Sequence, residues 1–229
     1  MGVSLSTARW AVPASMIFNV GCQFVGMGSD PSMKQVADNN HAMFSPQPMF
    51  IAGFFFPQIV IQGFWVYDLI YGKPKKTSLQ YAPYFIIGEV AIGVWMLFFM
   101  REQFVPAGLC CVVNTGAQLL AMTQMPKWNA QGNLLPNLVC RMMAGIGVLD
   151  LLDSYGTAYL QGQTPSMLTK ALTFAGFTGW SFFSDPIFGA SLIFDTAALY
   201  FGQSGSWANW LGASALATTA GVVARNFLM

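Results

Sequence analysis

Long apolar runs alternate along the chain with short polar interruptions, and the runs exceed what the core of a soluble domain needs. A helix that crosses a bilayer takes about 20 mostly apolar residues. On that rule the pattern predicts helices near 10–28, 47–70, 81–100, 104–125, 134–156, 167–183, 186–202 and 206–226. Read as one helix, 167–202 would be about 54 Å long, well beyond a hydrocarbon core of about 30 Å. The stretch "SDPIFG" divides it, because Asp185 suits an N-cap and Pro186 the first helical position. The expected fold class is therefore all-α: a polytopic transmembrane helical bundle of seven to eight membrane segments, the seventh short enough to be re-entrant. Connections are short except 29–46, which carries the single histidine, His41. No Pro/Gly/Ser-rich linker or clear internal repeat divides the chain, so 1–229 reads as a single integral membrane helical-bundle domain.

Composition points the same way. Of the 229 residues 55% are hydrophobic and 8% charged, against about 25% charged in ordinary globular domains. A net charge of +1 and no basic run larger than "KPKK" exclude nucleic acid as a partner, which needs a basic face. Cys22, Cys110, Cys111 and Cys140 fall in apolar runs without metal-ligand spacing. They read as small buried residues, and no metal site is expected. The first apolar stretch reads as an uncleaved span rather than a signal peptide. "MGVSLS" fits a myristoylation pattern, but a chain with several spans has little use for that anchor. Lys73, Lys75 and Lys76 place the second connection in the cytosol by the positive-inside tendency, and counting spans from it puts both termini there.

Charges inside spans carry the functional signal. Glu89, Arg141 and Asp195 lie seven to nine positions past the expected starts of their helices, hence about 10–14 Å from one boundary. A lone charge at such depth costs at least about 2.5–3.5 kcal/mol, so intramembrane charges face the bundle interior and pair. Arg141 is the single basic residue in this layer, and its planar fork accommodates two carboxylates. The expectation is that Arg141 holds Asp195, shared with Glu89, either as an architectural ion network or as the wall of a polar cavity. Asp150 and Asp153 are three residues apart on one helix face. Two such carboxylates either share a proton, as in acid–base chemistry or proton coupling, or mark a hydrated helix end. In the aromatic second span, Pro57 is expected to kink the helix, and Gln58 and Gln62 share a face that bonds to a neighbouring helix.

The segment "FSPQPMFIAGFFFPQIVIQGFWVYDLI", followed by "APYFIIGEVAIGVWMLFF", resembles the longer tryptophan-rich relatives of the TspO/MBR membrane proteins. Those have a Ser/Thr-Pro helix start, an aromatic span ending in Tyr and a following span ending in Trp and aromatics. The resemblance covers about a quarter of the chain, and the family's paired Trp-x-Pro-Pro signature is absent, so no tetrapyrrole- or sterol-binding residue is carried over. The size is similar to that of microbial rhodopsins, but the last span has no lysine for retinal.

Three function classes follow. The first is an integral membrane protein that binds or transports a small hydrophobic or amphipathic molecule at a buried polar site, with Glu89, Arg141, Asp195 and Gln58 as ligand-binding residues. The second is an intramembrane cyclase, isomerase or hydrolase acting on a lipid or terpenoid, with Asp195, Asp150 and Asp153 as catalytic acid–base groups. The third is a structural subunit of a membrane complex. No nucleophile elbow, HExxH motif, phosphate-binding loop or dinucleotide fingerprint is present, which excludes the easily recognised enzymes only, and the sequence leaves the cofactor unknown. The expected partners are membrane lipids, the small molecule, and further copies of the chain or a larger membrane complex.

Overall fold

Helix starts follow the polar punctuation of the chain. The computed structural model describes residues 3–129 and 134–228. Ser4 caps α1 (Leu5–Gly28) by accepting from the Thr7 amide. Ser32 and Gln35 form a reciprocal capping box that starts a short α2 (Met33–Asn39). Next come α3 (Pro48–Tyr71), α4 (Lys76–Phe99), α5 (Phe104–Gln124), α6 (Leu134–Tyr159) and α7 (Met167–Ser181). The chain ends with α8 (Pro186–Gly202), α9 (Gly205–Val223) and a π-helical turn, Ala224–Leu228. Asp185 caps α8 as the sequence expects, accepting from the Ile187 and Phe188 amides at 3.0 Å.

The described residues are helical without strands, and a helix falls at each of the eight apolar segments. Five of them, α1, α3, α4, α5 and α6, are long and apolar enough to cross a membrane, consistent with a multi-pass membrane protein. Apolar side chains such as Trp10, Phe24, Phe64, Leu109, Leu172 and Leu216 are exposed on the outside of the helices, a surface suited to lipid rather than water. Two helix starts come five residues earlier than expected: α1 at Leu5 rather than 10, and α4 at Lys76 rather than 81. Hydropathy marks only the apolar part of a helix, whereas backbone hydrogen bonding runs on through its polar first turns.

The packing order sets the site. α4 lies between α1 and α5, α5 between α4 and α6, and α6 touches α8. α8 and α7 both pack on α9, while α3 lies across α6 with smaller contacts to α1 and α8. α6 and α8 run parallel, with Arg141 opposite Asp185 and Gly145 opposite Ser191. A Cβ at Gly145 would overlap the Ser191 side chain, so glycine is what lets these two helices approach. One apolar cluster joins Phe54, Leu149, Leu192, Leu199 and Trp207. A second gathers Trp65, Tyr81 and Phe85 with Val12, Val139 and Met143.

Candidate functional site

Arg141 is buried on α6, but its ion-pair partner is Asp185, not Asp195 or Glu89. Its Nε donates to Asp185 Oδ2, and Nη1 donates to Asn137 Oδ1 one turn earlier. Asp185 therefore uses one oxygen for the arginine and the other to cap α8. The expected Arg141–Asp195 pair fails because the helices do not start level. α8 begins opposite Arg141, about two turns along α6, and Asp195 lies ten residues further, about 15 Å along the axis. Glu89 is displaced likewise, since the early start of α4 puts it about 20 Å from that end rather than 12 Å.

Glu89 is 0% exposed and is held by neutral amides instead of a cation. Asn19 Nδ2 of α1 donates to Oε2 at 2.8 Å, and Gln62 Nε2 of α3 donates to Oε1 at 3.0 Å. Gln23 supports Asn19 from one turn away. In the same bundle Tyr81 Oη donates to Gln118 Oε1 at 2.9 Å. This carboxylate ties α1, α3 and α4 together, and no ligand is needed to complete its hydrogen bonds. Gln58, one turn before Gln62, is buried with its Oε1 unpartnered. α3 continues as helix through Pro57.

The third carboxylate group is the unusual one. Asp195 on α8 is 0% exposed, and neither of its oxygens has a hydrogen-bond partner. It lies one turn beyond Ser191, which faces Gly145 of α6, and this register puts it level with Asp150 on α6. Asp150 shares a face of α6 with Asp153, three residues on, whose Oδ1 accepts from Ser45 Oγ at 2.8 Å. The sequence-predicted residues thus regroup: Asp195 leaves the Arg141 layer and joins Asp150 and Asp153, which keep part of their surface accessible. An aromatic contact starts at the neighbouring residue, with Phe194 at 5.1 Å from Phe54 and 5.6 Å from Phe50 between ring centroids.

Ser45 belongs to a loop that the sequence treats as a mere connection. Ala42, Met43, Phe44 and Ser45 are buried where the C-terminal ends of α6 and α8 meet the start of α3. Gln203 Nε2 donates to Ala42 O at 3.0 Å and Ser45 O at 2.8 Å, and Trp207 Nε1 donates to Met43 O at 2.6 Å. The Gln47 amide donates to Ala198 O at 2.9 Å. A Cβ at Gly202 would lie 2.5 Å from Ser45 O, so glycine there allows the loop backbone to sit against α8. A pocket of about 430 Å³, lined by His41, Met43, Gln163, Lys170 and Trp207 among others, opens on this loop. The same loop lines that pocket through His41, Ala42 and Met43 and bonds Asp153 through Ser45.

Sequence reasoning missed Ser45, Asn19 and the Asp185 partnership of Arg141. Intramembrane amides carry the same signal as intramembrane charges and point to Asn19, but nothing local in the sequence reports the stagger of α6 and α8. All four cysteines are free, with Cys22, Cys111 and Cys140 buried. Among the described residues no group of three or more His, Cys, Asp or Glu side chains is arranged to hold a metal ion. Comparison with protein-family models, with curated proteins and with solved structures finds no match to this chain.

Proposed function

We propose that the chain is an integral membrane protein of eight embedded segments, α1 and α3–α9, that binds or moves a small hydrophobic or amphipathic molecule at the Asp150, Asp153 and Asp195 group. The five long apolar helices support the membrane setting. α7, α8 and α9, with 15, 17 and 19 residues, are short for a full crossing. The Arg141–Asp185 pair supports their being embedded with the others, since it satisfies the charge at the α7–α8 turn. The lysines of the α3–α4 connection favour the cytosol for that end, and with it for both termini.

The observation that carries the functional reading is Asp195. A buried polar atom without a partner costs about 1–3 kcal/mol, and the other buried charged residues among those described, Arg141 and Glu89, both have hydrogen-bond partners. A carboxyl with neither oxygen bonded, next in sequence to an aromatic cluster and near a buried loop that bonds Asp153, fits a ligand-binding site. Mass spectrometry of small molecules retained by the protein purified in lipid nanodiscs tests it. Asp195→Asn should lose a component that the wild type retains, with helical content unchanged. Equal retention by a folded Asp195→Asn protein removes the site.

A further inference from the structure

We infer that the molecule taken at this site is an organic cation, an amine carried on an apolar body. The inference rests on the binding site proposed above and adds the class of ligand. Three carboxyl groups follow one another here: Asp195 and Asp150 lie level on the paired helices α8 and α6, four and five residues past the Gly145–Ser191 contact, and Asp153 is one turn further along α6. The ion pairs seen among the described residues, Arg141–Asp185 and Lys34–Asp38, do not involve them, and the basic side chain that acts on the group is His41, on Asp153 alone. Ser45 supplies a hydrogen bond to Asp153 but no charge. Asp195 adds an independent pointer: it comes from a different helix, is fully buried, and neither of its oxygens is hydrogen-bonded. An anionic ligand would add repulsion to two neighbouring carboxylates, whereas an ammonium compensates them in a low-dielectric interior.

The side of the site away from the carboxylates argues for an organic body. Phe50, Phe54, Phe194 and Phe201 form a continuous run of ring contacts with centroids 5.0–5.6 Å apart, beginning at the residue next to Asp195. Aromatic faces attract both a cation and an apolar chain. A bare metal ion is disfavoured, because no described group of acids, histidines or cysteines converges with ligating geometry. Asp195 is sealed in this conformation and Asp150 and Asp153 are partly accessible. The amine therefore meets Asp150 and Asp153 first and reaches Asp195 when the Ser45 loop yields.

The test uses the full chain in phosphatidylcholine nanodiscs, titrated calorimetrically with octylamine, octanol and octanoate, with empty nanodiscs subtracted. Octylamine should bind saturably, octanoate should not, and Asp195→Asn should weaken octylamine by about tenfold or more, since hydrogen bonding survives while the charge does not. Asp150→Asn, at a partly accessible position, should weaken it in the same direction and serves if Asp195→Asn does not fold. Asp38→Asn, on exposed α2, should leave binding unchanged. Saturable octanol binding that depends on Asp195, with octylamine no tighter, keeps the site and overturns the cationic class. If octylamine binding is non-saturable, or is unchanged in both Asp195→Asn and Asp150→Asn, and octanol is equally insensitive, both the class and the site fall.

Discussion

Arg141→Leu is the perturbation that most directly tests the stagger of α6 and α8. The arginine side chain is 6% exposed and Asp185 is 20% exposed, and they form one of the ion pairs in the bundle. Removing one member of a buried pair costs about 3–5 kcal/mol, because the other charge is left uncompensated. Asp185 keeps its two capping hydrogen bonds and some solvent access, so the loss falls at the low end, about 3 kcal/mol. Asp185→Asn retains a good N-cap but strands the arginine with Asn137, for a loss of about 2–3 kcal/mol. Once both charges are gone nothing is left unpaired, and the double mutant should be less stable than the wild type by about 3 kcal/mol rather than the sum, a coupling of about 2–3 kcal/mol. The matching cycle of Arg141→Leu with Asp195→Asn should be additive within about 0.5 kcal/mol, since about 15 Å of helix separates Asp195 from Asp185. Equilibrium unfolding in mixed micelles, followed by circular dichroism, measures both cycles. A coupling to Asp195 that equals or exceeds the coupling to Asp185 refutes the register of the two helices.

Asp195→Leu should stabilise the purified protein by about 1–3 kcal/mol, because it removes two buried oxygens that have no partner; a loss greater than about 1 kcal/mol, the worth of one hydrogen bond, in the same micelle assay would reveal a partner for the carboxyl. Gly202→Ala places a methyl against the Ser45 carbonyl and should cost about 1–3 kcal/mol, with faster amide hydrogen exchange in residues 42–47; unchanged exchange there would mean that the loop is not pinned by α8. A cysteine introduced at the C-terminus should react with a membrane-impermeant maleimide from the cytosolic side, and labelling from the opposite side alone would rule out eight segments with a cytosolic N-terminus.

Helix positions were legible in the sequence because they depend on local physics. An apolar run of bilayer length, a capping residue such as Asp185 and a proline at the first helical position act within a few residues, and α8 begins where "SDPIFG" says it should. The same locality allowed Glu89, Arg141 and Asp195 to be singled out, since a charge inside an apolar run is expensive wherever the run packs. Which charges meet is a different kind of question. It depends on the axial offset between helices far apart in the chain, and each residue of offset moves a side chain by about 1.5 Å and turns it by about a quarter of a circle. Gly145 against Ser191 sets that offset for α6 and α8, and it gives Arg141 to Asp185 while leaving Asp195 beside Asp150. The loop 41–47 likewise reads as an exposed connection until Gln203, Trp207 and Gly202 are brought to it from about 160 residues away in the chain. Burial of its backbone is possible only because those partners satisfy its carbonyls, a condition that tertiary structure alone can meet.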